Sequence, residues 1–264
     1  RLGGLQERKV MPLPCPTPTM HCIGFSRKLK TGVQWDQLPV RALYESRPLS
    51  WHSVYHHYRK WCRGGFWKDC WIKFLNRHKS ELDLSSVDLD GSHTPAKRGG
   101  ENVEYQGRKK TKTTNSLYLT DRQGLPLAMS EPVAGNHNDL YDIEVQFEVV
   151  TATLEEADIP VGGLFLNADA GFDSKDFRNS CSKKDINANV CFNKRNGNAD
   201  RDEYFDKELY DERFAVERTN AWMDSYRSLL NRFDTTNESW KGFNYLAFIV
   251  IAIKKFKKEK NKKV

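Results

Sequence analysis

Two aspartates close short apolar runs. Asp90 lies in Val-Asp-Leu-Asp-Gly-Ser-His-Thr (87–94), and Asp169 ends Leu-Phe-Leu-Asn-Ala-Asp (164–169). A carboxylate at the C-terminal end of a parallel strand points into the crevice where open α/β sheets bind ligands. Gly91 and Gly171, just beyond, are expected to let the backbone turn sharply past each acid. Two such carboxylates from neighbouring strands could grip the same hard divalent cation, which prefers oxygen ligands. A third acid on a helix would complete a two-metal site, with ions ~3.5–4 Å apart that activate an attacking oxygen and stabilise a leaving one. Glu217 is the candidate. It falls in a helix predicted over 211–233, off the apolar stripe of Ala215, Trp222, Tyr226, Leu229 and Phe233, and on a face with Arg213, Ala221 and Asp224. The same residues admit plainer roles. Aspartates at strand ends cap turns, Glu217 and Arg213 have the i,i+4 spacing of a helical ion pair, and Asp88 shares Asp90's face of the strand and competes with it. No Ser/His/Asp or Cys/His set argues for a covalent intermediate.

The elements that must hold these acids follow from periodicity and turn residues. Residues 1–22, with four of the ten prolines, read as a flexible lead-in. From Ile23 to His78 the pattern is helical. Ser50 is placed to cap a helix over Trp51–Arg63, Gly64-Gly65 breaks it, and a second helix covers 66–78. Two amphipathic helices joined by glycines suit a helix-turn-helix whose second helix enters the major groove. Arg59, Lys60 and Arg63 on the first helix, and Lys68, Lys73, Arg77 and Lys79 on or just after the second, either contact phosphates or form a solvated face. Beyond residue 81 the reading is a strand at 82–90, a polar loop or irregular strand at 91–114 rich in Lys and Arg, and a hairpin of 115–121 and 126–133 around Asp121–Gly124. A helix capped near Asn138 follows, then a buried strand at 164–169, a short helix at 174–181, a strand at 186–192, the long helix, and a last helix over 238–256. This order is that of a ribonuclease-H-like fold, an α/β mixed sheet with helices on both faces, here preceded by a small helical domain. The expected division is a lead-in (1–22), a helical DNA-binding domain (23–80), a catalytic domain (81–253) and a basic tail (254–264).

Charge is segregated along that division. Residues 1–80 hold 15 Lys or Arg against four acids, 254–264 hold seven Lys against Glu259, and 81–253 hold 30 acids against 20 bases. Basic arms suit a polyanion such as DNA, and an acidic body suits cations. The loop 97–112, with Lys97, Arg98, Arg108, Lys109, Lys110 and Lys112, is expected to contact DNA phosphates near the acids. Tyr245–Ile253, the longest apolar stretch, is too short to span a bilayer and reads as a buried helix. The six cysteines form no CxxC pair and fit free thiols in a reducing interior. Cys62 and Cys70 with His52 and His56 match no common zinc spacing.

Asp90-Gly-Ser-His-Thr, Asp169-Ala-Gly-Phe172 and Tyr210-x2-Arg213-x3-Glu217-Arg-Thr resemble, in that order, the three signature blocks of insertion-sequence transposases of the DDE class. The likeness extends to Leu29–Pro39, Trp51–Trp61, Asp121–Pro126 and Trp222-x3-Tyr226-Arg227-x-Leu229, and so over roughly 23–253. The resemblance implies that Asp90, Asp169 and Glu217 are a catalytic triad binding two Mg2+ (or Mn2+) ions, and that Tyr210 and Arg213 hold the transposon end. Asp224 stands where the family usually carries a Lys, seven residues after its Glu; His93 and His137 fall where the rim of the cleft is expected. The implied reaction is hydrolysis at the element's ends followed by attack of the freed 3′-hydroxyl on target DNA. Partners would be terminal inverted repeats, target DNA and a second copy of the chain in a synaptic homodimer; the place would be the cytoplasm, associated with the nucleoid. The alternatives are a transposase-derived DNA-binding protein with impaired chemistry and a metal-dependent repair nuclease.

Overall fold

Four helices open the described part of the chain: α1 (Pro18–Thr31), α2 (Val40–Leu43), α3 (Trp51–Arg63) and α4 (Phe66–His78). The computed structural model describes residues 18–44, 49–196, 205–211 and 213–262. The lead-in expectation therefore meets the structure only at 18–22, which belong to α1; residues 1–17 lie outside the described residues. Ser50 caps α3 as expected, its side chain accepting from the Ser53 amide, and Gly65 separates α3 from α4 with φ 69°. α4 spends one face on packing. Trp67, Trp71 and Leu75 are buried, the Trp71 indole donates to the Leu127 carbonyl at 2.7 Å, and Lys68 pairs with Glu156 at 2.9 Å. Trp71 is fully buried with its polar atom satisfied, so Trp71→Ala is expected to cost about 3–5 kcal/mol. Thermal unfolding would register this as a melting point lowered by roughly 10 °C; a shift under a few degrees would show that this contact does not anchor α4.

The sheet is built from β1 (Val87–Pro95), β2 (Glu104–Gln106), β3 (Thr111–Asp121), β4 (Pro126–Met129), β5 (Val133–Ala134), β6 (Phe165–Ala168) and β7 (Asn187–Val190). Its path is β2-β3-β1-β6-β7, with β4 and β5 also pairing β3. β1 and β3 are antiparallel over nine registered pairs, whereas β1, β6 and β7 are parallel. This mixed sheet has the ribonuclease-H-like order. One expectation needs correcting here. The first strand is not 82–90: Asp83 accepts from both the amide and hydroxyl of Ser85, a local turn that delays the strand until Val87. Residues 91–114, read as a loop or an irregular strand, take the second form over much of their length, because the long partner β3 holds β1 in the sheet to Pro95 and then pairs with β2.

The remaining helices are α5 (Ile143–Glu155), α6 (Lys175–Lys183), α7 (Lys207–Asp211), α8 (Phe214–Asp224), α9 (Arg227–Leu230) and α10 (Asn237–Lys262). α5 starts after Asp142 in a left-handed conformation rather than at a cap near Asn138. Ser174 caps α6. The helix expected over 211–233 is broken, since Tyr226 is extended between α8 and α9. The bend is held from outside: Lys30 donates to the Ser225 carbonyl at 2.9 Å and lies 5.3 Å from the Tyr226 ring, and Ser228 donates to the Lys28 carbonyl. The expected basic tail is mostly helical too, because α10 runs on to Lys262. α10 crosses both regions of the chain. Phe243 stacks on Tyr58, Phe248 meets Trp71, and Asn244 accepts from the Tyr118 hydroxyl of β3. One hydrophobic core thus includes residues from Phe25 to Phe256. Among the described residues no helix is long and apolar enough to cross a membrane.

Candidate active site

The parallel register of β1 and β6 brings the two strand-end aspartates together. Leu89 is paired with Ala168, so Asp90 and Asp169 are the next residues on adjacent strands, where β6 stops and β1 continues. The Asp169 carboxylate accepts from the Gly171 amide and starts a short turn of helix. Burial pushes the Asp90 carboxyl up to about 6; Arg213 opposes that rise, and Asp169 and Asp139 add to it. Two other acids and a guanidinium are thus near enough to act on the Asp90 charge, Asp139 from the other face of the strand.

Behind Asp90 the strands are tied by a buried polar ladder. Asn189 on β7 donates to Asn167 on β6 at 2.8 Å, and Asn167 donates to Asp88 on β1 at 2.9 Å, each at its registered partner position. Asp88 also accepts from the Val216 backbone, and is 2% exposed. Its carboxylate is engaged by these bonds, whereas Asp90 has Asp169 beside it at the end of the adjacent strand. Asn220 of α8 reaches Asp90 at 3.4 Å. Glu217 lies three residues before Asn220 and four after Arg213, so these share one helix face. Glu217 is exposed and, among the described residues, makes no hydrogen bond or ion pair with Arg213 or any other group. Among the described residues no three or more His, Cys, Asp or Glu side chains gather in a geometry ready to hold a metal ion.

Gly91 does a different job from the one its sequence position suggests. It is an ordinary strand residue within β1, not a turn. A Cβ there would overlap the Asp139 carboxylate, which lies against the strand on the face opposite the Asp90 side chain and accepts from Asn115 at 2.7 Å. Asp139 was not among the residues singled out from sequence. Its only local signal is the polar run Gly-Asn-His-Asn-Asp (135–139), and contact with Gly91 depends on tertiary folding.

The other candidates divide into two groups. Tyr210 and Arg213 come together, with the guanidinium 5.5 Å from the ring, and one Arg213 nitrogen is buried with no hydrogen-bond partner among the described residues. Lys109 donates to the His93 carbonyl at 2.7 Å, three residues beyond Asp90 on β1, while Lys110 occupies the adjoining β2–β3 turn with φ 50°. Arg59 bonds the Tyr55 hydroxyl at 3.1 Å, and Lys60 and Arg63 are exposed on α3 among the packed helices. His137 stacks on Tyr141. Asp224 ends α8, and Arg227, across the bend, packs by its backbone and Cβ on Gly32.

The profile of the DDE superfamily endonucleases matches residues 89–251, well over half of the sequence and spanning all three acids. The chain belongs to that family. Solved structures of Mos1 transposase are similar to the chain at low identity and low TM-score. The pre-cleavage Mos1 transpososome is 13% identical, covering 84% of this chain and 74% of that one with a TM-score of 0.32. The catalytic domain of Mos1 mariner transposase is 11% identical, covering 69% and 86% with a TM-score of 0.31. The Mos1 strand transfer complex is 13% identical, covering 91% and 78% with a TM-score of 0.31. No curated protein matches the sequence.

A second basic surface of this DDE endonuclease lies where α8 and α10 meet the β3–β4 turn. Lys254, Lys255 and Lys258 of α10, Arg218 of α8 and Arg122 of the β3–β4 turn line a cavity of about 680 Å3 over Trp222 and Tyr226, with Asp83 its one lining acid. Neutralising the three lysines to Gln is expected to weaken binding of all DNA sequences alike and to reduce the slope of log affinity against log salt by about two to three. Fluorescence anisotropy at several salt concentrations measures this; a sequence-selective loss would exclude a backbone role.

Proposed function

We propose that the chain is a DNA transposase that cuts transposon ends and joins them to target DNA by phosphoryl transfer. The observation that carries this reading is the adjacency of Asp90 and Asp169 at the ends of registered parallel strands, with Asn220 of α8 reaching Asp90 and Arg213 acting on its charge. The donor chemistry fits hard divalent cations: the set is all carboxylate, and the charge crowding that raises Asp90 is relieved by a cation. Asp90 and Asp169 would hold the metals, Mg2+ or Mn2+, with Glu217 approaching from α8. Two such ions would supply Lewis acidity at phosphorus and a nucleophile at neutral pH.

The chain's own residues would do the positioning that dominates phosphoryl transfer. The buried Arg213 nitrogen lacking a partner is available to a phosphate oxygen, and Tyr210 packs against the same guanidinium. Lys109 and Lys110 would hold flanking phosphates, roughly 10 Å from Asp90 at strand spacing. Arg59, Lys60 and Arg63 would contact DNA from the helical region, 23–80, serving the catalytic region, 81–253. Joining two ends requires a pair of chains, so a homodimer is proposed for the synaptic state, acting in the cytoplasm on nucleoid DNA.

A second reading, a DNA-binding descendant with lost chemistry, is favoured by Asp224, which places an acid where the transposases it resembles carry a Lys. A strand-cleavage assay in Mg2+ or Mn2+, on DNA bearing the element's inverted repeats and on unrelated DNA, separates these. Cleavage at the repeats supports the transposase, cleavage of both DNAs alike supports a nuclease, and retention without cleavage supports the binder.

A further inference from the structure

The run Leu29–Pro39 is unused by the acids. In the fold it forms one wall of a cavity of about 460 Å3, within the size range of ligand sites. Trp35 from this run, Trp51 and Tyr55 of α3, and Phe233 after α9 give it four aromatic walls. Phe233 is 44% exposed although it is large and apolar. Lys28 opens into the same space. It is 5% exposed, its ammonium is 5.7 Å from the Trp35 ring, and among the described residues its side chain makes no hydrogen bond or ion pair. A lysine this deeply buried is ordinarily paired. Asp234 also lines the cavity; its charge offsets part of the burial cost of Lys28, while its carboxylate accepts from the Ser239 hydroxyl at 2.7 Å, and Gln34, Asp36 and Arg98 stand at the exposed rim.

Aromatic walls, one buried donor and a few polar rim groups are what an unstacked nucleobase needs. Aromatic faces take its ring, a donor takes a ring carbonyl or nitrogen, and rim groups read its remaining edge. Equal numbers of acids and bases in the lining argue against a purely phosphate site. We propose that this cavity receives a single unpaired base of bound DNA, with Lys28 donating to an acceptor on its edge. The proposal rests on the reading that the chain binds DNA. β1 carries the chain from Asp90 to Ala96, about 20 Å at strand spacing, before the bridge from Ala96 to Arg232 reaches this region. The captured base would therefore not be the one at the cut, but one that fixes the register of the strand passing the acids.

The test compares binding of a short oligothymidylate with that of the same strand carrying abasic sites, using the full chain with metals chelated. The wild type is expected to prefer the base-bearing strand by roughly ten-fold and to show quenched tryptophan fluorescence. Trp51→Ala, Tyr55→Ala and Lys28→Met should lose the preference while binding the abasic strand as the wild type does. Phe233→Ala, at an exposed position, gives the same reading should a more buried variant fail to fold. A wild type without preference, or variants that keep it, overturns the proposal; so does a preference for duplex over single strand that the variants leave unchanged. Base preference with no metal-dependent cleavage would leave the pocket standing and remove the transposase reading. Cleavage without base preference would do the reverse.

Discussion

Asp90→Asn is expected to abolish strand cleavage while making the metal-free protein more stable. Loss of a cation ligand removes several kcal/mol of transition-state stabilisation, roughly a thousand-fold or more in rate. DNA affinity should hardly change, because the proposed phosphate contacts come from Lys109, Lys110, Arg59 and the α10 lysines. The stability gain follows from burial. The Asp90 carboxyl titrates near 6 in the fold against an ordinary 3.8, so the native state binds the proton more tightly than the unfolded chain. Stability contributed by the protonated form is complete below about 4 and lost as pH rises through 6, which costs about 2–3 kcal/mol at neutral pH. Asn retains the shape without the charge and should flatten part of that fall, leaving the similar contribution of Asp88, also near 6. Chelator-treated protein melted from pH 4 to 8 gives the comparison. Undiminished cleavage would remove Asp90 from the chemistry, and an unchanged melting curve would show that its carboxylate is not held away from water. Asp169→Asn should match the loss of cleavage. Its stability change should be smaller, since Asp169 serves as the cap for Gly171.

Gly91→Ala is expected to be the most damaging single-methyl change in the sheet. The added carbon meets the Asp139 carboxylate, which is anchored by Asn115, itself 1% exposed. Overpacking of this kind costs typically 1–3 kcal/mol, a drop of roughly 5–10 °C. Displacing β1 would also shift Asp90 from Asp169, and small displacements of reacting groups cost around a hundred-fold in rate. Adding Asp139→Gly should recover much of the stability by removing the clash, so the two changes should be strongly non-additive, by 0.5–3 kcal/mol. Denaturant unfolding of the four proteins decides it. Additive effects would mean that the methyl is accommodated elsewhere and that Asp139 does not set the strand.

How much of this was legible in the residues depends on whether the cause was local. Ser50 and Gly64-Gly65 announced their helix limits because a cap or a left-handed glycine acts within a few residues. Asp169 was legible as a strand end, since an apolar run stops at it. The limits of β1 were not: Ser92, His93 and Thr94 look like loop residues, and only the length of β3 keeps them in the sheet. The break between α8 and α9 was hidden for the same reason, because the lysine that holds it comes from α1, 195 residues away in the chain. Asn167 and Asn189 resembled faults in buried strands until the register showed them bonded to each other and to Asp88. Asp139 stayed unseen because its significance lies in Gly91, on another strand.

α10 is a shared beam: the same side of the molecule that roofs the sheet at Tyr118 also seats Tyr58 and Trp71. The N-terminal helices pack Phe25, Tyr58, Trp61 and Trp67 on one another but close that cluster only against Phe243 of α10. A chain interrupted ahead of residue 237 would leave the ring cluster of these helices open on the side that α10 covers, and is expected to hold them less firmly than the intact protein does.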